Sequence, residues 1–245
     1  MKQIMETERL ILREYVPEDF DALYEILSDP ETMQHYPAPF DADKVRGWIA
    51  WNLDNYGKYG FGLWAVVLKE TGKFIGDCGI TIQNIDGEKL PEIGYHIHKK
   101  HWRRGFAKEA ARAVRDWVFR NTDYDTIYSY MKYTNVGSWR TALANGMKKV
   151  KEYPDPKNIV SCVYAISRRE WEKLTEETEK RDLMEKTEPS AIMLTEPTHA
   201  WTRQIEEYRA AFPESRMQAT PDPGRIPGMD LLEDFGSVDE WLDFC

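Results

Sequence analysis

Apolar and polar positions change period several times along this chain, and each change marks an element. ERLILREY (8–15) alternates and is rich in Leu and Ile, which predicts a strand. Pro17, Glu18 and Asp19 then open a helix reaching to about Ser28, since proline suits an early helical position and acids suit the first turn. Phe20, Leu23, Tyr24 and Leu27 share one face of it. YPAPF (36–40) is a break, Asp41 caps a second helix carrying Val45, Trp48, Ile49 and Leu53, and YGKYGFG (56–62) reads as a glycine-rich loop. WAVVLK (64–69) and FIGDCGITIQ (74–83), joined by a turn at 70–73, predict a hairpin. A second turn at 84–90 leads to the strand PEIGYHIH (91–98). After Gly105, the residues Ala107, Ala110, Ala111, Val114, Trp117 and Val118 trace one helical face. TIYSYMKY (126–133) is a strand, 135–145 a short helix closed by Gly146, and 147–153 and 160–167 are the last strands. Ser167 to Glu170 has the form of a capping box, so another helix starts there. A long antiparallel meander followed by a strand–helix–strand crossover predicts an α/β domain with one mixed sheet.

Composition supports a real core, with 42% hydrophobic and 13% aromatic residues in 245. No apolar run reaches the length of a membrane span, and the charged start MKQIMETERLILREY has no secretory apolar stretch. Cys78, Cys162 and Cys245 are scattered and odd in number, which fits a reduced compartment and speaks against a disulfide scaffold or a zinc site. The expectation is a soluble cytoplasmic protein. The net charge of −9 is uneven: residues 174–245 hold 7 Lys+Arg against 17 Asp+Glu, and residues 1–173 hold 26 against 25. A near-neutral body with an acidic tail makes nucleic acid an unexpected partner, and no feature calls for a membrane. The chain therefore divides into a domain at 1–173, a charged helix end and linker at 174–195, and an acidic, mostly helical extension at 196–245. In the extension Trp201, Ile205, Tyr208 and Phe212 recur at helical spacing.

Positive charge concentrates in KKHWRRGFAKEA (99–110), between a strand and a helix. A helix N-terminus offers unpaired N–H groups and a partial positive charge. Gly105 lets the backbone approach a bulky anion, small Ala107 leaves room in the first turn, and Arg103, Arg104 and Lys108 add attraction. Phosphate or pyrophosphate is the natural guest, with a solvated basic turn as the alternative.

The stretch EIGYHIHKKHWRRGFAKEA resembles the coenzyme-A motif of the GCN5-related N-acetyltransferases, Gln/Arg-x-x-Gly-x-Gly/Ala. Here it reads Trp102-Arg103-Arg104-Gly105-Phe106-Ala107, with Trp in the first position as a departure. TERLILRE, FIGDCGI, EIGY and TNVGS followed by NGM occur in the order of the family's Rim-type branch, which acetylates protein N-termini and small amines. The resemblance covers about 6–172. It implies a mixed, mostly antiparallel twisted sheet with a central splay, flanked by helices. It implies acetyl-CoA as co-substrate, no metal, and a protein N-terminus or small molecule as amine acceptor. The strand at 91–98 splays from that at 126–133, and backbone groups of His96, Ile97 and His98 line the pantetheine gap. Phe106 and Ala107 follow the loop glycine. Glu92 is the candidate general base, acting directly or through water, against the alternative of a solvated strand-end carboxylate. The position of the family's thiolate-protonating Tyr is Ala142, so Ser138 is the replacement, or else an N-cap for a helix at 138–145. Asn135 contacts the pantetheine arm or shapes a turn. His96, His98 and His101 invite a metal reading that no acid or cysteine cluster completes. Trp48, Trp51, Tyr56, Tyr59, Phe61 and Trp64 are core or acceptor-pocket wall. The extension looks like the front of a second such domain, either a lid on the acceptor site or a passive remnant. A non-catalytic acyl-CoA-binding or interaction module is the rival to an enzyme, and a homodimer is left open.

Overall fold

The computed structural model describes residues 2–187, with side chains to Lys180, so the expected linker and extension beyond lie outside the described residues. Eight strands form one sheet in the order β1-β2-β3-β4-β5-β6-β8-β7. They are β1 (Gln3–Glu6), β2 (Leu10–Arg13), β3 (Leu63–Leu68), β4 (Phe74–Ile85), β5 (Glu88–Ile97), β6 (Thr126–Lys132), β7 (Lys148–Asp155) and β8 (Ile159–Ser167). The helices are α1 (Phe20–Leu27), α2 (Ala42–Tyr59), α3 (Phe106–Asn121), α4 (Val136–Ala144) and α5 (Arg168–Thr187). Among the described residues no helix is long and apolar enough to cross a membrane. The first compact unit ends at Arg181.

β3 shows how the sheet is buried on both faces. Leu63 and Ala65 pack with Leu23, Leu27, Val45 and Ile49 of α1 and α2. Trp64 and Val66 point the other way, into a core with Ala110, Val114 and Val118 of α3. The sheet is therefore sandwiched between α1/α2 and α3. Glycines let its strands pass close to neighbouring backbone. A Cβ added to Gly79 would stand 2.0 Å from the Gly62 carbonyl oxygen, which is main chain and cannot swing aside. We expect Gly79→Ala to destabilise the fold by about 2–3 kcal/mol, measurable as a lower denaturant midpoint; an unchanged midpoint would contradict this packing.

The expected meander, crossover and caps are present. Asp41 Oδ1 accepts the Lys44 amide at 2.8 Å. In the capping box at α5, the Ser167 amide donates to Glu170 Oε2 at 3.0 Å and the Glu170 amide to Ser167 Oγ at 3.3 Å. Four expectations need correction. A strand, β1, precedes the first expected one. The stretch 56–59 is helix, because α2 continues to Tyr59 and stops only at Gly60 with φ 77°. The turn at 84–90 shrinks to Asp86 and Gly87, both at positive φ, because β4 and β5 stay paired from Gly76↔Ile97 to Ile85↔Glu88. Glu92 is consequently a mid-strand residue. Finally, α4 is capped by Asn135, whose Oδ1 accepts the Ser138 amide at 3.1 Å, so Ser138 sits within the first turn.

All strand pairs are antiparallel except β5 and β6, which run parallel and meet at the single pair Glu92↔Tyr128. Beyond it the strands diverge, which is the expected central splay.

Candidate active site

Two features flank β5: a loop with free N–H groups after its end, where Gly105 and Lys108 share a cavity with Thr7 and Arg9, and a cleft with a buried acid along it. After β5 the chain makes a 3-10 turn, Lys99–His101, and then enters α3 at Gly105. Arg103 and Gly105 both take left-handed conformations, φ 60° and 80°. Alternating hands turn successive amides toward one concavity. Among the described residues the amides of Arg103 to Lys108 donate to no backbone or side-chain acceptor, whereas Glu109 N returns to Gly105 O at 3.0 Å. A non-glycine residue held at positive φ costs about 1–2 kcal/mol. Arg9, at the entrance of β2, braces the loop: its Nη1 donates to Arg104 O at 3.0 Å, and its Nε pairs with Glu109 Oε2 at 2.6 Å. Burial pushes the Glu109 carboxyl up, but the Thr7 hydroxyl and the Arg9 amide and guanidinium outweigh it and hold its pKa below the usual value. The 99–110 stretch is thus a loop braced by Arg9 and lined by free amides. Arg103, Arg104 and Lys108 are exposed, Ala107 is half-buried, and the Phe106 ring belongs to the core at 4% exposure, leaving only its amide for a ligand.

The cleft has a volume of about 450 Å³. Glu92, Tyr95, His96, Ser129, Tyr130, Lys132, Asn135 and Ser138 line it from the strands and α4, and Tyr36 and Trp48 line it from the α1–α2 side. Glu92 is 8% exposed, with Thr81 Oγ1 as a distant donor at 3.5 Å to Oε2. Burial pushes its pKa up to about 8, the Thr81 contact opposing weakly. It is not a solvated strand-end carboxylate. Glu92, Gly94 and His96 share one face of β5, and Gly94 between them leaves the face open.

The backbone edge of β5 corrects one expectation. The His96 amide donates to Asp77 Oδ1 at 3.0 Å and the His98 amide to Ile75 O at 2.9 Å, so both face β4. Strand alternation turns Tyr95 and Ile97 toward the splay instead. There the Ile97 carbonyl accepts the Trp102 indole N–H at 2.6 Å, which gives Trp102 a structural reason to stand first in the loop motif. His98 lies beyond the strand: its Nδ1 accepts the Lys100 amide at 3.2 Å and its ring does not join His96. Among the described residues no His, Cys, Asp and Glu gather as metal ligands.

Two polar groupings were not foreseen. Asp77, fully buried, accepts Tyr15 OH at 2.8 Å, Trp48 Nε1 at 3.0 Å and His96 Nδ1 at 2.7 Å, and His96 Nε2 lies 2.7 Å from Tyr36 OH. The Tyr95 hydroxyl donates to Ser138 O at 2.9 Å and lies 3.0 Å from Ser138 Oγ, while Ala142 is buried in the core. A lone Asp amid the apolar FIGDCGI was a readable signal for the first. Tyr36 stood in a stretch read only as a break. Of the aromatic residues, Trp64 and Phe61 are core, Trp48 is cleft wall backed by Trp51 with ring centroids 5.2 Å apart, and Tyr59 is exposed.

The sequence and the fold have known counterparts. The chain is 35% identical over 154 residues to the uncharacterized protein YkkB of Bacillus subtilis, covering 61% of this chain and 90% of that one. The crystal structure of an acetyltransferase from Agrobacterium tumefaciens superimposes with a TM-score of 0.57 and 30% identity over 66% of this chain and 92% of the other. RimL, a ribosomal L7/L12 α-N-protein acetyltransferase solved in complex with coenzyme A, shares the fold at a TM-score of 0.58 and 15% identity, over 68% of this chain and 98% of its own. Residues 9–148, more than half of the chain, match the model of the acetyltransferase (GNAT) domain. With the splayed sheet and the donor-lined loop in place, the chain belongs to the GNAT acetyltransferase domain family.

Proposed function

We propose that this protein transfers an acetyl group from acetyl-CoA to a primary amine, by direct attack within a ternary complex. The observation that carries this reading is the pairing of a loop of free amides with a cleft that buries one carboxyl. The residues present suit the co-substrate. The amides of Arg103 to Lys108, with the Arg103, Arg104 and Lys108 side chains, would hold the pyrophosphate. The strand edge left open at Tyr95 and the Ile97 amide, with Asn135 beside it, would hold the pantetheine arm. Acetyl-CoA supplies the acetyl group as a thioester. Glu92 accepts a proton from the acceptor ammonium, directly or through water. Ser138 Oγ, beside the Tyr95 hydroxyl, holds a proton near α4 where Ala142 offers none. A protein N-terminus or a small-molecule amine is the acceptor class, the cytoplasm the setting, and the catalytic domain spans 1–173. The linker at 174–195 and the extension at 196–245 do not catalyse.

The test is calorimetric titration of acetyl-CoA into the full chain. It is followed by thiol detection of CoA release with spermidine, kanamycin and an alanine-initiated peptide. Micromolar binding with release supports the enzyme. Binding without release for every amine supports the non-catalytic module, and no binding at millimolar acetyl-CoA overturns both.

A further inference from the structure

Glu92 is one proton acceptor in the cleft, and the structure holds a second arrangement with the same capacity. Asp77 is an acceptor only, so the 2.7 Å contact at Oδ1 requires His96 Nδ1 to carry the hydrogen. With His96 neutral, Nε2 presents a lone pair that can accept from the Tyr36 hydroxyl, 2.7 Å away. The Asp77 carboxylate is fixed from other sides by Tyr15 OH, Trp48 Nε1 and the His96 amide. Burial pushes Asp77 up, but the charge His96 carries once protonated and the hydrogen bonds from His96, Tyr15 and Trp48 outweigh it and hold its pKa below the ordinary value, so the end of the chain stays charged. Tyr36, Trp48 and His96 line the same cleft as Glu92.

We propose that Tyr36, His96 and Asp77 form a proton relay that deprotonates the acceptor ammonium alongside Glu92. The inference rests on the acetyltransferase reading above. The Tyr36 oxygen, its hydrogen committed to His96, keeps its lone pairs for the cleft and accepts an N–H of the ammonium. As that N–H bond breaks and a new O–H bond forms on Tyr36, the original Tyr36 proton passes to His96 Nε2. The products are a neutral amine, an intact tyrosine, and an imidazolium facing the Asp77 carboxylate. The shift is concerted, so no tyrosinate forms; enclosure of the hydroxyl, then the charges of Glu92 and Asp77, keep the Tyr36 pKa well above its usual value. The titratable groups around His96 are Asp77 from β4, Tyr36 from the α1–α2 segment and Glu92 from its own strand, with His35 and Lys132 also on the cleft wall. A burial-raised Glu92 is protonated in most molecules at neutral pH, where a second acceptor has the most to do.

Tyr36→Phe in the full chain tests the relay, since it removes only the hydroxyl that meets His96 and leaves the ring packing. CoA release is followed with spermidine, kanamycin and the alanine-initiated peptide. The expected result is a fall in kcat of about 3-fold at pH 7, an unchanged KM for acetyl-CoA, and a smaller deficit at pH 9, where Glu92 is ionised and carries most of the flux. Histidine side-chain 1H–15N spectra, assigned by loss of the His96 signal in His96→Asn, are expected to show His96 as the Nδ1–H tautomer in the wild type. Full kcat in Tyr36→Phe at pH 7, or an Nε2–H tautomer, overturns the relay while leaving the acetyltransferase reading intact. A wild type that releases no CoA with any of the three amines overturns that reading and the relay with it.

Discussion

Glu92→Gln is expected to lose activity and gain stability together. Unfolded, the Glu92 carboxyl ionises near 4.5; folded, near 8. Between those values the folded state holds a proton that the unfolded state has released. Stability therefore falls as pH rises from about 4.5 to about 8 and is level above. At pH 7 the buried carboxyl costs the fold about 3 kcal/mol. Gln has no ionised form, so the variant should melt roughly 5–10 °C higher at pH 7 and match the wild type near pH 4.5. Activity moves the other way. In the wild type kcat/KM should climb with pH through about 8 as Glu92 becomes a competent base. In the variant that climb disappears, and kcat at pH 9 falls about 5-fold, to the rate the Tyr36 relay sustains, with acetyl-CoA affinity retained. Melting curves and rate profiles at pH 5, 7 and 9 check both halves. A melting difference that does not grow with pH would show that Glu92 ionises normally in the fold, and an unaltered rate profile would remove it from the mechanism.

Gly105→Val attacks the other half of the site. Gly105 sits at φ 80°, and a β-branched residue is a genuine outlier there. Space is not the obstacle, since an added Cβ would meet only the Arg9 guanidinium, at 3.4 Å. The backbone must therefore rotate out of the left-handed region and turn the amides on either side away from their common focus. Losing two hydrogen bonds to a charged phosphate is worth about 3–6 kcal/mol, so acetyl-CoA affinity should fall at least about 100-fold by calorimetry. Gly105→Ala, also strained but less so, should fall between wild type and Val and serves as a folding control by circular dichroism. Undiminished acetyl-CoA binding in folded Gly105→Val would refute the assignment of this loop to the pyrophosphate.

How far the sequence alone reaches is seen residue by residue. The helices, caps and meander follow from local rules, because Asp41, the Ser167–Glu170 box and the α3 apolar stripe act within a few positions of themselves. The loop of residues 99–110 was legible because its glycine and its charge are adjacent. The relay was not, because Tyr36, Asp77 and His96 are separated by 41 and 19 positions and meet only when β4 pairs with β5 and the α1–α2 segment folds over them. Glu92 was legible as a candidate through the family resemblance. Its pKa was not, since that depends on burial set by strands that the sequence made too short. Arg9 and Glu109 were missed for the same reason: their ion pair spans 100 positions.

The divergence of β5 from β6 leaves an unpaired strand edge in the interior of a sheet. On the outside of a protein, such an edge invites other chains to pair and aggregate. Here it opens into a cleft of about 450 Å³ walled by Tyr36, Trp48 and the Lys157–Asn158 turn. Under the proposed function its occupant is a single slender, amide-bearing arm, that of acetyl-CoA. On that reading the fold keeps the adhesiveness of a raw edge and restricts it by width, so that a feature elsewhere associated with misassembly serves as a selective receptor.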